Sequence, residues 1–301
     1  MTAQRPVWAK GFGAFLIPGA VFFTLVILVP FLANAGISFT KWTGVGTPVW
    51  VGLANYTRVF QDSVFWASFQ NNLEMLLAVT VLPTIIGLLL SVFLFENVSR
   101  MFGNGVVRFL RAGYYIPQIL PVAIAGVVWG WILNPDFGAI DAILTRLGAA
   151  FAIHDWLGDP ATALPTVMVI MIWFQIGYPL VIFMAALQRL DPQVLEAASL
   201  DGASWWQRFR IIVALIRPEI GVVVLTTTIY ALKIFAPIYV LTRGGPGSAT
   251  IVPSYFAYQE FFQKANVGYG STISTIMTLT ILVLCIAFVR GQSGRERLGE
   301  Y

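Results

Sequence analysis

The chemistry open to this chain is bounded first by the side chains it lacks. Its 301 residues include one histidine, His154, one cysteine, Cys285, four lysines and fourteen carboxylates. A metal site of imidazole and thiolate ligands needs several of them at fixed spacing, and these two residues cannot supply it, so no metal is expected. A hydrolase working inside a bilayer needs a histidine there as base or ligand, whereas His154 stands in a polar connection between apolar runs. A proton-coupled carrier keeps an Asp or Glu within an apolar helix. Here the carboxylates fall in connections or at the ends of apolar runs, with Glu74 and Glu96 bracketing the second. A phosphate-binding loop of the Walker type needs a lysine directly after a glycine, yet the four lysines follow Ala9, Thr40, Leu232 and Gln263. No catalytic residue and no cofactor are therefore expected in this chain. If ATP with its magnesium drives its work, another subunit must bind them.

Two features remain that could do chemistry. Lys233 is the one charge inside an apolar run, and an ionisable residue there is a functional candidate, although it could also snorkel or pair structurally. The second is residues 191–210, DPQVLEAASLDGASWWQRFR, a polar stretch between two apolar ones. Asp191 and Pro192 read as an N-cap and first turn. Asp201 and Gly202 read as the stop, since glycine tolerates the left-handed conformation at a helix end. Ser204 with Gln207 three residues later fits a capping box. Trp205, Phe209 and Ile212 then share one apolar face. The first of these helices carries Glu196 beside Ala197 and Ala198, where small side chains allow entry into a narrow groove and the carboxylate can meet an Arg or Lys. The competing reading is an ordinary solvated loop.

The elements that must position these residues are membrane spans. The chain is 58% hydrophobic and 11% charged, with a mean hydropathy of +0.79; soluble domains carry about a quarter charged residues. Six runs are long enough for helices across roughly 30 Å of hydrocarbon, at about 12–38, 73–97, 108–133, 162–188, 217–241 and 267–290. The expected fold is an all-α polytopic membrane protein, one transmembrane domain over 1–301 with a polar loop at about 189–216. The first run ends in LANA, where Ala33 and Ala35 imitate a signal-peptidase site, but its length argues for a retained helix. The basic residues are scattered singly, which argues against nucleic acid as a partner. Arg5 and Lys10, Arg100, Arg108 and Arg111, Arg189, Arg208, Arg210 and Arg217, and Arg290, Arg295 and Arg297 lie at the amino terminus, the second and fourth connections and the carboxyl tail. By the positive-inside rule both termini and the 189–216 loop face the cytoplasm. Pro117, Pro121, Pro179 and Pro237 should break or kink helices where a cavity can form.

EAASLDGA, from Glu196 to Ala203, resembles the EAA motif of permease subunits of binding-protein-dependent ABC importers, in which Glu-Ala-Ala is followed after three residues by Gly. LANY at 53–56, NNL at 71–73, YYIPQILPVAIAGVVWGWILNPDFGAID at 114–141, YVLTRGGPG at 239–247 and YFAYQEFF at 255–262 resemble the carbohydrate branch, of the maltose and glycerol-phosphate first-permease type. They do so in order and over most of the chain. The large periplasmic domain of the best-known maltose subunit is absent. The resemblance implies a type I importer fold with a coupling helix, in which Glu196, Ala197, Ala198, Asp201 and Gly202 engage a cytoplasmic ABC ATPase dimer. It further implies a second homologous permease, an extracytoplasmic sugar-binding protein, and a bacterial or archaeal cytoplasmic membrane. The family's Ile-x-Leu-Pro is replaced here by Ile212 to Pro218, and its Phe-Asp by Phe235-Ala236.

Sugars are held by hydrogen bonds and by aromatic faces stacked on the ring. Lys233, Phe235, Tyr239, Tyr230, Trp173 and Gln175 supply such groups, with helix packing as the alternative for each aromatic. Arg243, Gly244, Gly245 and Pro246 form either a plain turn or a contact for the binding protein. The expected function is half of the pore of an ATP-driven sugar importer; the alternative is a stand-alone secondary transporter of a small polar solute.

Overall fold

Long runs of Leu, Val, Ile and Phe without charge can satisfy their backbone in hydrocarbon only as helix, and a computed structural model describing residues 12–298 is almost wholly helical. Its elements in order are α1 (Phe15–Ile37), β1 (Thr40–Lys41), β2 (Val49–Trp50), α2 (Ala54–Gln61), α3 (Ser63–Val98), α4 (Met101–Ile119), α5 (Val122–Ile132), α6 (Ala139–Arg146), α7 (Ala163–Leu187), α8 (Pro192–Leu200), α9 (Trp205–Leu215), α10 (Arg217–Leu232), α11 (Ala236–Leu241), α12 (Pro253–Tyr258) and α13 (Val267–Leu298). Among the described residues five helices are long and apolar enough to cross a bilayer, α10 and α11 counting together as one. A sixth span results if α4 and α5 are taken as its two arms. Arg5 and Lys10, on which the orientation count draws, lie outside the described residues, as do the side chains of Arg100, Arg295 and Arg297.

The third span is the sharpest departure from a simple six-rod picture, because α4 and α5 meet at a bend of 94°. Its cause is local. Pro121 disfavours helical backbone in the residue before it, and Leu120 is accordingly extended at φ −70°, ψ 138°. The fifth span is broken too: α10 ends at Lys233 and α11 begins after Phe235, with Pro237 in its first turn. Pro117, by contrast, is accommodated inside α4, and Pro179 lies in the first turn after an interruption of α7 at Ile176. Glu74 and Glu96 do not bracket the second span but belong to α3, which runs from Ser63, takes up Pro83 after a π-helical turn over Leu77–Val81, and closes with a second such turn over Leu94–Val98.

Two compact units can be distinguished. One comprises Met1–Asp62 with Ala257–Thr278. Here a short hairpin pairs Thr40 with Trp50, and the Asn55 amide donates to the carbonyls of Ser38 (2.9 Å) and Thr40 (2.8 Å). Asn34 donates to Ser274 Oγ (3.2 Å) and Thr275 Oγ1 (3.1 Å), an interhelical polar clasp of the kind that holds helices in lipid, where the hydrophobic effect supplies no attraction between them. None of the most apolar window of α1 is buried within the structure.

The other unit comprises Ser63–Phe256 with Leu279–Tyr301. Small residues let its helices approach closely. A Cβ placed on Gly87 of α3 would lie 2.7 Å from Pro179 Cβ of α7, and one on Gly177 of α7 would lie 2.5 Å from the Tyr114 carbonyl of α4. At one end of this unit a core gathers Val92, Leu94 and Val98 of α3, Val107 of α4, Leu180 to Leu187 of α7 and Phe209 and Ile212 of α9, with Leu195 of α8 packed against it.

Candidate functional site

The polar stretch folds as two short helices at right sequence positions for their caps. Asp191 Oδ1 accepts from the Gln193 N–H at 2.9 Å, and Pro192 opens α8. The helix closes where Gly202 takes φ +73°, its N–H and that of Ala203 returning to the carbonyls of Ser199 (3.2 Å) and Ala198 (3.0 Å). Ser204 and Gln207 complete a reciprocal capping box for α9. The turn into the fifth span falls at Ile216, and Pro218 occupies the first turn of α10. The replacement of Leu-Pro by Arg217-Pro218 is thus absorbed in one turn.

These caps give α8 two unlike faces. Ala198 is buried and Leu195 half-buried against the core, whereas Glu196, Ala197, Asp201 and Gly202 are exposed and Leu200 is 88% exposed. Glu196 has no hydrogen-bond or ion-pair partner among the described residues. A carboxylate beside Ala197 and Leu200, on a helix fixed from behind, is a ready-made projection for a cationic, apolar-lined groove.

One pair that sequence reading did not anticipate fastens this loop. Arg208 of α9 donates from Nε to Glu96 Oε1 of α3 at 3.3 Å and from Nη1 to the Ala203 carbonyl at 3.3 Å. Glu96 is 4% exposed in its side chain and Arg208 22%. The sequence signal was a lone acid at the end of an apolar run, which needs a cationic partner once the surrounding core excludes water.

The residues proposed for a solute path fall into two groups. In the first, Gln175 of α7 is buried and accepts from the Gln118 amide of α4 at 3.0 Å. Trp173 meets Trp129 of α5 edge to face at 5.4 Å and lines a cavity of about 350 Å³ with Phe109, Tyr114 and Pro117. In the second, Phe235 stacks on Tyr239 at 5.5 Å and 21° beside Tyr255, and Lys233 lies exposed at the break between α10 and α11, with Tyr230 one turn before it. The short helix α11 packs against α5, Val240 and Leu241 facing Gly126, and also touches α7. No hydrogen bond or ion pair joins Lys233 to the Trp173 and Gln175 group among the described residues.

Beyond α11, Arg243 takes φ +52° and Gly244 φ +79°, and the Gly245–Pro246 peptide is cis. Thr250 Oγ1 donates to the Gly245 carbonyl at 2.8 Å and shares a 2.7 Å hydrogen bond with Thr242. The Asn71 amide donates to Ser248 and Ile251 carbonyls at 3.2 and 2.9 Å. Arg243 is left exposed at the tip of a shaped loop. Among the described residues no three His, Cys, Asp or Glu side chains gather as a metal site.

Apolar spans broken at two places, with one exposed acidic helix braced against their ends, define a multi-pass transport permease. The chain belongs to the family of binding-protein-dependent transport system inner membrane components, whose model matches residues 84–294. It is 33% identical to a probable ABC transporter permease of Pyrococcus horikoshii over 94% of this chain and 96% of that one. It is 32% identical to a trehalose/maltose transport system permease of Thermococcus litoralis over 91% of each chain. The fold matches that of a bacterial ABC transporter that imports the acidic polysaccharide alginate, with a TM-score of 0.81 at 21% identity, covering 97% and 99% of the two chains.

Proposed function

We propose that the chain forms half of the pore of an ATP-driven sugar importer and couples to a separate cytoplasmic ATPase dimer through α8. The observation that carries this reading is the exposed Glu196, without a partner among the described residues, on a helix whose opposite face is built into the core. A helix held that way can pass a push from a partner to the spans behind it without being dislodged. ATP and magnesium belong to the ATPase, and a second homologous permease completes the pore. Switching between outward and inward opening follows closure of the ATPase dimer. The carbohydrate assignment draws on the trehalose/maltose relative. The aromatics and amides at Trp173, Gln175, Tyr230, Phe235 and Tyr239 are the proposed path. Arg243 to Pro246, a shaped loop with an exposed cation, is the proposed contact for an extracytoplasmic binding protein. Both termini and α8 lie on the cytoplasmic side in this reading.

The test is uptake of radiolabelled sugars by vesicles containing the full complex, run beside ATPase pull-down. Glu196→Lys reverses the projecting charge and should abolish both ATPase association and ATP-dependent uptake while the permease stays in the membrane at normal level. Uptake that continues without ATP, or unaltered in Glu196→Lys, overturns the importer reading and leaves a stand-alone secondary transporter.

A further inference from the structure

A lysine at the end of a helix commonly serves the helix itself, by bonding the last free carbonyls or by complementing their partial charge. At the break between α10 and α11 that work is done by other groups. The Tyr230 carbonyl accepts from the Lys233 N–H at 3.2 Å. The Ala231 carbonyl accepts from the Ile234 N–H at 3.2 Å and from the Asn72 side-chain amide at 3.1 Å. The Ile234 carbonyl accepts from Ser254 Oγ, and the Phe235 carbonyl from the Tyr239 N–H at 2.9 Å. Four carbonyls around the break are thus satisfied by the turn itself and by two side chains from neighbouring helices. The ammonium of Lys233 is left exposed, with no carboxylate in ion-pairing distance among the described residues.

Its surroundings favour a solute over a structural counter-charge. Tyr230 precedes it by three residues on the same helical face and adds a hydroxyl. Past the break, Tyr239 is 41% exposed and keeps its ring stacked on Phe235. The second arm of the third span packs against α11: a Cβ on Gly126, in the second turn of α5, would lie 3.2 Å from Val240 Cγ1, in the second turn of α11. Two interrupted helices side by side, one carrying an uncommitted cation and exposed aromatic surface, make a place where an anion can be met in a low-dielectric setting.

We propose that Lys233 recognises a negatively charged group on the carried solute, so that the importer takes acidic sugars, bearing a carboxylate, sulfonate or phosphate, in preference to neutral ones. This rests on the permease reading above and names its substrate class.

The experiment uses the complete complex in proteoliposomes with its binding protein. Matched probes are a neutral disaccharide, its uronic acid and its phosphate ester, each tested first for binding to that protein and then supplied at saturating concentration. Lys233→Met removes the charge at similar volume and Lys233→Arg keeps it. The expected result is ATP-dependent uptake of at least one anionic probe, reduced about tenfold or more by Lys233→Met, retained by Lys233→Arg, with ATPase activity and complex assembly unchanged. Three outcomes overturn the proposal: a binding protein that takes only the neutral probe, anionic uptake indifferent to Lys233→Met, or loss of the second permease from Lys233→Met complexes, which would assign the lysine to that interface. Neutral-sugar uptake that needs ATP and ignores Lys233 sinks only this inference. Absence of ATP-dependent uptake of every probe by an assembled complex removes the importer reading beneath it.

Discussion

Glu96 is the residue where the chain takes its largest electrostatic risk. One carboxylate oxygen accepts from Arg208, while Oε2 is buried without a partner among the described residues. Removing the guanidinium leaves a charge inside an apolar core, which costs far more than losing an exposed pair. Arg208→Ala should therefore destabilise the purified permease by on the order of 2 kcal/mol, below the figure for a fully buried pair because Arg208 still reaches water. Glu96→Gln should cost less, since the amide keeps a hydrogen bond and discards the buried charge. Thermal unfolding in detergent checks the order of the two variants. Limited proteolysis of residues 189–216 checks the location, with faster cleavage expected in Arg208→Ala. Equal stability of both variants would remove the pair from any role in bracing the loop.

At the scale of elements, the spans owe their spacing to glycines rather than to large apolar side chains. Gly177 sits where α7 crosses the backbone of α4, with Tyr114 O at 2.5 Å and Tyr115 Cα at 2.9 Å from the place a Cβ would occupy. Backbone atoms cannot step aside as a side chain can, so Gly177→Val should force the two helices apart at about 1–3 kcal/mol. That shift opens the Gln118 to Gln175 hydrogen bond and the cavity beside Trp173. The expected readout is a lowered melting temperature together with reduced uptake at unchanged ATPase association, because α8 lies outside the crossing. A variant with wild-type stability would mean that α4 and α7 do not approach this closely. Helix α8 depends on a different device. Its end is set by the left-handed Gly202, and a Cβ there costs roughly 1–2 kcal/mol of backbone strain. Gly202→Val should loosen the Glu196 projection while leaving the spans intact, visible as weaker ATPase capture from complexes of normal thermal stability.

For the molecule as a whole, sidedness is the property on which the proposed mechanism turns. Leu200 is 88% exposed on α8 and Phe151 91% exposed between α6 and α7, so a cysteine at either is open to a soluble reagent if its side of the membrane is reached. In a Cys285→Ser background, an impermeant maleimide should label Leu200→Cys only in inside-out vesicles and Phe151→Cys only in right-side-out ones. The reversed pattern, Phe151→Cys labelled only in inside-out vesicles and Leu200→Cys only in right-side-out ones, would show that α4 and α5 form a re-entrant pair rather than a span, and would reverse the orientation of everything after them.

Much of this was legible because its causes are local. Composition alone demands helices in lipid, since no other open structure satisfies the backbone there. The caps at Asp191, Gly202 and Ser204 involve side chains and amides within a few residues of one another, so three letters of sequence carry them. The bend at Pro121 follows from a clash between neighbours. What no local rule could supply were the meetings across the chain. Arg208 and Glu96 are 112 residues apart, and Asn72 and Ala231 are 159 apart. A side chain's partner at such distance depends on which helix faces which, and helix faces in a membrane protein lack the polar and apolar contrast that would announce them. For that reason sequence alone determined the class of protein, its helical character and the caps of α8 and α9. Only the tertiary structure decided that Glu96 holds the 189–216 loop through Arg208, and that Lys233 stands exposed at the break between α10 and α11.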